Sequence, residues 1–300
     1  MLHKHLLSIK DLSRPDLEYL LQSALKKLES PTKLPNFTGH SQVNMFFENS
    51  TRTRISFEIA AKRLGLEVIN FGTQGSSVQK GETLLDTVRT IAAMQPDILV
   101  IRHHASGAAE FIAKHANCHI INAGDGTHEH PSQALLDALT IQKTKGTISG
   151  LIIAICGDIL HSRVARSNIL SLSRLGATIR LIAPSTLIPE FAYHLGIDIF
   201  HDIRVGIKNA DVVMMLRLQN ERMAGAFVPS MQEYAYFYGL NEDKLQNAKP
   251  NCMILHPGPQ NRDVEISSAL VDSPKSSIAQ QVEMGVIMRM TIIEALLTGT

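Results

Sequence analysis

Apolar positions along this chain recur in two alternating patterns. Leu17, Leu20, Leu21, Ala24 and Leu28 share one face at helical spacing, and Ser13-Arg14-Pro15-Asp16 before them has the form of a capping box. Compact apolar runs follow at 43–47, 67–71, 97–101 and 119–122, with helical spacing near 52–64, 82–94 and 106–116 between them. A longer helix is predicted from Pro131 to about Lys143. A second series of runs lies at 151–156, 178–182, 211–216 and 252–255, and a last helix is predicted from about Ser276 to Leu297. This is the βαβ rhythm of parallel sheets covered by helices. The predicted fold class is α/β, with two doubly wound parallel-sheet (Rossmann-like) domains and an active-site cleft between them. The seam is expected at 144–150. The first domain then covers 1–144, with the C-terminal helix of about 276–300 packing back onto it, and the second covers 145–275.

The polar clusters all follow strand candidates. Ser50-Thr51-Arg52-Thr53-Arg54 follows the first run, and Arg102-His103-His104 the third. The segment from Gly124 to Pro131, with His128-Glu129-His130, follows the fourth. Gly157-Asp158 and Arg163, then Arg217 and Gln219, then His256-Pro257-Gly258-Pro259 follow runs of the second series. Open α/β sheets bind ligands at the carboxyl ends of their strands. Ser50–Arg54 also opens a helical pattern with Phe57, Ala60, Ala61 and Leu64 on one face. Unpaired N–H groups and a partial positive charge at a helix N-terminus, joined by hydroxyls and a guanidinium, suit a phosphate or another small anion. An ordinary N-cap would account for one Ser or Thr but not for the whole run.

Composition narrows the class. Hydrophobic residues make up 44% and charged residues 19%, as in globular chains, and a net charge of +1 without like-charge blocks argues against a nucleic-acid surface. Cys118, Cys156 and Cys252 form an odd set without Cys-x-x-Cys spacing. That fits a reducing cytosol and excludes a disulfide framework or zinc ribbon. No apolar run is long enough to span a membrane, and the N-terminus lacks the apolar core of a secretory signal, so a cytoplasmic location is expected.

Ser50-Thr51-Arg52-Thr53-Arg54 with Ser56-Phe57-Glu58 resembles the carbamoyl-phosphate signature of the aspartate/ornithine carbamoyltransferases, and His130-Pro131-Ser132-Gln133 their second shared motif. Three features resemble the aspartate branch: Ser76 through Lys80 with Gly81-Glu82-Thr83, Arg217-Leu218-Gln219, and His256-Pro257-Gly258-Pro259. The likeness runs from about Leu7 to Leu297. It implies that Arg52 and Thr53 bind the phosphate of carbamoyl phosphate, with Ser50 and Thr51 assisting. Arg102, His130 and Gln133 would hold the carbamoyl group, Arg102 also touching phosphate, and Gly258 and Pro259 would border that pocket. Arg163 and Arg217 would clamp the carboxylates of L-aspartate, with Gln219 and the loop's Lys80 alongside. Ser76 and Lys80 would reach the site of a neighbouring subunit, which implies a homotrimer with shared sites. A regulatory chain or a dihydroorotase as partner stays open, and no cofactor is implied.

Charge supports this chemistry independently. Both substrates are anions, and bringing them together in a dry cleft needs compensating cations, which Arg52, Lys80, Arg102, Arg163 and Arg217 would supply. The expected reaction is direct attack of the neutral α-amine on the carbamoyl carbon. Thr53, Arg102 and His130 would polarise the carbonyl, and closure of the domains and of the 73–83 loop would exclude water. The product would be N-carbamoyl-L-aspartate, an early intermediate of pyrimidine synthesis.

Other features take plainer readings. Residues of the His128-Glu129-His130 loop rarely converge on one ion, so no metal is expected. His103 and His104 are expected to be surface or packing residues, and Met284, Met288 and Met290 to be packing. Arg54 is expected to pair with a carboxylate, and Asp158 to orient a neighbour. The turn at Cys156-Gly157-Asp158 lacks Gly-x-Gly-x-x-Gly, so no dinucleotide site is expected. The rivals are a carbamoyltransferase acting on ornithine or an acetylated relative, and a silent homologue serving as a trimeric scaffold.

Overall fold

In the computed structural model, which describes residues 4–72, 81–219 and 230–299, the alternation resolves into two parallel sheets. Helix α1 (Arg14–Glu29) opens with the predicted capping box, Ser13 Oγ accepting from Asp16 N and the Asp16 carboxylate accepting from Ser13 N at 2.8 Å. Leu17, Leu20, Leu21 and Ala24 are buried beneath it. There follow β1 (Ser41–Phe46), α2 (Thr51–Arg63), β2 (Glu67–Gly72), α3 (Leu84–Ala92), β3 (Ile98–His103), α4 (Ala108–Ala113), β4 (His119–Asp125) and α5 (Pro131–Lys145). These strands pair in parallel in the order β2-β1-β3-β4. Pro131 starts α5, where its missing N–H forfeits no helical bond.

The second series comprises β5 (Ile152–Cys156), α6 (Arg163–Arg174), β6 (Thr178–Ile182), β7 (Asp198–Phe200), α7 (Ile203–Gly206), β8 (Val212–Met215), α8 (Met231–Tyr238), α9 (Glu242–Leu245), β9 (Met253–Leu255), α10 (Ser268–Val271) and α11 (Ile278–Thr298). Its sheet is again parallel, in the order β7-β6-β5-β8-β9. By internal packing the chain divides into two units. One is Met1–Leu139 with Val282–Thr300, and the other is Thr140–Gln281. Val43, Met45, Leu99, Ile101 and Ile120 centre the first core; Ala154, Cys156, Val213, Met215 and Ile254 centre the second.

Two differences from the sequence reading bear on the site. Strand β3 runs on to His103, so Arg102 and His103 belong to the strand end rather than to the turn after it. The cause is continued pairing: past a register shift between Ile101 and His103, His103 still pairs with Asp125, which also bridges Glu129 across a tight turn. Strand β7 was not anticipated. It is three residues long, lies at the sheet edge against β6, and follows two short 3-10 turns in place of a helix.

Each sheet has one point where the winding reverses, between β1 and β3 in the first unit and between β5 and β8 in the second. At such a point the connections leave in opposite directions and open a crevice at the carboxyl ends of the strands.

Candidate active site

Helix α2 begins at the switch point of the first unit. Ser50 is its N-cap, but the Ser50 side chain makes no capping hydrogen bond and the first turn carries no acidic residue. The hydroxyl is therefore not spent on the helix, and nothing of negative charge in that turn offsets the positive end. Thr51 and Arg52 are exposed, whereas Thr53 is buried and its carbonyl accepts from Ser56 Oγ at 3.0 Å. Arg54 is exposed, and its charge helps hold the Glu58 carboxyl below its usual range, behind the hydrogen bonds from Lys62 and Asn70.

Arg102 stands beside this turn because β1 and β3 are neighbours, Phe46 pairing with Arg102. Its Nε lies 3.2 Å from Glu48 Oε2 and its Nη1 donates to the Ala123 carbonyl at 3.3 Å. The guanidinium is thus held from both sides at the strand end. The sequence reading gave Glu48 no role, because its partner Arg102 is brought to it only by the pairing of β1 with β3.

His130 and Gln133 sit where β4 leads into α5, and both are buried. The preceding turn is fixed by Asp125, which accepts from Asn122 Nδ2, Gly107 N and Glu129 N. The neighbours of His130 turn elsewhere. His128 Nδ1 meets Asp125 at 3.0 Å, while Glu129 accepts from Ser8 Oγ and from Ile9 N. His103 accepts from Ala105 N and packs between Phe47 and His104, and burial lowers its pKa. It is a packing residue. So are Met284, Met288 and Met290, all buried on α11.

In the second unit β5 is followed by Gly157, whose φ is +119°; a Cβ there would stand 2.9 Å from Tyr234 Oη and 3.2 Å from the Leu216 carbonyl. Only glycine lets these two strand ends approach so closely. Asp158, fully buried, then ties the switch point together. Its Oδ1 meets the His161 ring at 2.9 Å, and its Oδ2 accepts from Gln219 N at 3.2 Å. Gln219 Nε2 in turn donates to the His161 carbonyl. Ser162 caps α6 through Ala165 N, which puts Arg163 in the first turn, buried. Arg217 is half-buried in the segment after β8.

A second buried acid, Glu265, anchors the other side. It accepts from Leu218 N at 2.9 Å and from Asn261 N and Nδ2, both at 2.7 Å, and its Oε2 lies 3.7 Å from His256 Nε2. His256 Nδ1 accepts from Gly258 N at 2.8 Å, which folds the His256–Pro259 turn back on itself. Gly258 and Pro259 lie in the second unit. Replacing Glu265 by Ala should orphan the buried Leu218 N–H and both Asn261 donors and destabilise the fold by about 2–4 kcal/mol. Urea unfolding checks this, and a loss under about 0.5 kcal/mol would remove Glu265 as the anchor.

No cysteine is available as a nucleophile. All three are buried; desolvation raises Cys118 and Cys252 to about 11 and Cys156 further. Ser76 and Lys80 lie outside the described residues.

Residues 4–143 match the aspartate/ornithine carbamoyltransferase carbamoyl-P binding domain, and residues 149–296 match the Asp/Orn binding domain of the same family. The chain belongs to the aspartate/ornithine carbamoyltransferase family. Within that family it is 57% identical to the aspartate carbamoyltransferase catalytic subunit of Brucella canis, over 98% of this chain and 93% of that one. It is 55% identical to that of Rhizobium johnstonii, over 99% and 95%. Among solved carbamoyltransferases it resembles Trypanosoma cruzi aspartate transcarbamoylase in complex with carbamoyl phosphate and aspartate, with TM-score 0.85 and 32% identity over 96% of this chain and 95% of that one. The catalytic subunit of M. jannaschii aspartate transcarbamoylase matches with TM-score 0.86 and 33% identity over 99% of each chain.

Proposed function

We propose that this chain transfers the carbamoyl group of carbamoyl phosphate to the α-amine of L-aspartate, giving N-carbamoyl-L-aspartate and phosphate on the way to pyrimidines. The observation that carries the reading is the start of α2: an N-terminus without an acidic residue in its first turn, a Ser50 hydroxyl not used for capping, and Arg102 held beside it. Phosphate binds there through Ser50, Thr51, Arg52 and Thr53. Arg102, His130 and Gln133 take the carbamoyl group, with Gly258 and Pro259 completing its pocket. Arg163 and Arg217 hold the two carboxylates of aspartate, assisted by Gln219 and Lys80.

The mechanism is acyl transfer without a covalent enzyme intermediate. The neutral amine attacks the carbamoyl carbon, and negative charge builds on the carbonyl oxygen. Thr53, Arg102 and His130 stabilise that charge. The C–O bond to phosphate then breaks with its electron pair going to the phosphate oxygen, the amine proton passes to that departing phosphate, and the phosphate stays on the helix N-terminus and arginines. No nucleophilic side chain takes part, so orientation supplies much of the rate.

Incubating the protein with carbamoyl phosphate and L-aspartate should release phosphate and N-carbamoyl-L-aspartate, and L-ornithine should give no product. Turnover of ornithine and not of aspartate would transfer the chain to the other branch. Arg217→Ala should raise the aspartate KM by about 10- to 100-fold, the worth of one charge-assisted hydrogen bond, while the carbamoyl phosphate KM changes far less. Equal damage to both would overturn the division of labour.

The active assembly is a homotrimer in which Ser76 and Lys80 enter the neighbouring subunit's site. Exposed Ile55 and Ile59 on α2 and Ile69 on edge strand β2 support a subunit contact on the first unit. Free, buried cysteines and the lack, among the described residues, of a helix able to cross a membrane fit a cytoplasmic enzyme.

A further inference from the structure

Gln133 Nε2 donates to Asp137 Oδ1 at 2.9 Å, one helical turn further along α5. Asp137 is fully buried, and so is the cation nearest it in effect, Arg289 of α11. Arg289 is lodged deliberately rather than exposed at a rim. Its Cζ lies 4.9 Å above the Phe57 ring of α2, and Gly285 leaves the notch its guanidinium fills. A Cβ on Gly285 would stand 2.6 Å from Arg289 Nη1 and 3.3 Å from Leu136 Cδ2. Burial draws the Arg289 pKa down to about 10, against the pull of Asp137, which still leaves a cation at neutral pH. Burying an acid and a cation in one unit is costly and needs a reason beyond stability, since apolar residues of similar volume would often serve as well.

Amide chemistry supplies the reason. A side-chain amide has one donor end and one acceptor end and can flip between them. A carboxylate held beside a buried cation only accepts. The NH2 end of Gln133 must therefore face Asp137, and the Oε1 end is fixed on the other side. We propose that Asp137 and Arg289 are positioning residues that lock the Gln133 amide with Oε1 towards the substrate, so that the site demands an N–H donor and selects a carbamoyl group over an acyl group without one. This rests on the reading that Gln133 holds the carbamoyl group.

Acetyl phosphate, with a methyl in place of the NH2, is the probe. In the parent enzyme its inhibition constant against carbamoyl phosphate should lie well above the KM for carbamoyl phosphate. Asp137→Asn can accept or donate, so Gln133 becomes free to flip. The ratio of the acetyl phosphate inhibition constant to the carbamoyl phosphate KM should then fall about tenfold, the worth of one well-placed hydrogen bond. The aspartate KM should stay within about twofold. General damage to the pocket would weaken both phosphates alike and leave the ratio unchanged, which would overturn the proposal. Arg289→Lys keeps the charge and should keep the parent ratio. Should Asp137→Asn leave Arg289 unpaired and fail to fold, Asp137→Asn/Arg289→Gln removes both charges together. Retained discrimination in a folded double variant would also overturn the proposal. Gln133→Ala separates the two ideas. If it loses discrimination while the Asp137 variants keep it, the lock is wrong and the Gln133 assignment stands; if Gln133→Ala itself keeps the parent ratio, the Gln133 assignment falls.

Discussion

Arg52→Ala should lower kcat/KM by about 10²- to 10³-fold, a loss of about 2–4 kcal/mol in transition-state stabilisation, with folding intact. The contact it removes is charge-assisted and tightens as the phosphate takes up the electrons of the breaking C–O bond, so the loss should fall on kcat as well as on KM. Folding is expected to survive because Arg52 is exposed in the first turn of α2 and no core packing depends on it. Steady-state kinetics beside thermal unfolding tests both halves. Near-normal turnover would remove Arg52 from the site, and a collapsed melting temperature would turn the loss into one of structure.

The second large effect is a recovery. Lys80→Ala and Arg52→Ala should each be nearly inactive alone. Mixed under conditions that exchange subunits, they should regain activity, because some interfaces then pair an intact Lys80 with an intact phosphate turn. For a random mixture of trimers the recovery should be partial, since only a fraction of the interfaces is complementary. Hybrid trimers verified by a charge tag and found as inactive as their parents would place Lys80 within its own chain's site.

What is legible in the sequence follows from what has a pattern. The strand runs and the capping box at Ser13 were readable because apolar spacing and the Ser-x-x-Asp form are local rules, and β6 matches its run at 178–182. The polar clusters stood out because Gly, Pro, Arg and His gathered after apolar runs, and the structure puts them at the carboxyl ends of β1, β3, β4, β5, β8 and β9. Glu48, Asp158 and Glu265 belong to another class. Each is a single acid whose work is to accept donors from a segment up to tens of residues away, as Asp158 does for Gln219 and Glu265 for Leu218. Only the fold brings those partners together, so neither spacing nor composition marks them; Asp158 drew notice solely through its place after a strand. The end of β3 was misread for a related reason. Arg102 and His103 look like turn residues by polarity, yet backbone pairing with β4 extends the strand through them.

The last helix has a consequence for how the molecule is made. Unit one is assembled from Met1–Leu139 and Val282–Thr300, so the chain leaves it, builds the whole of the other unit, and comes back. Met284, Met288, Ile292 and Ile293 fill its core, and Arg289 reaches Phe57 within it. On the ribosome the usual order, in which the N-terminal part folds first, cannot run to completion here. The later-synthesised unit has all of its strands before α11 emerges, while the first waits with its α11-facing surface open until the final turns are released. Nascent chains stalled just short of α11 should therefore protect the second unit from protease before the first.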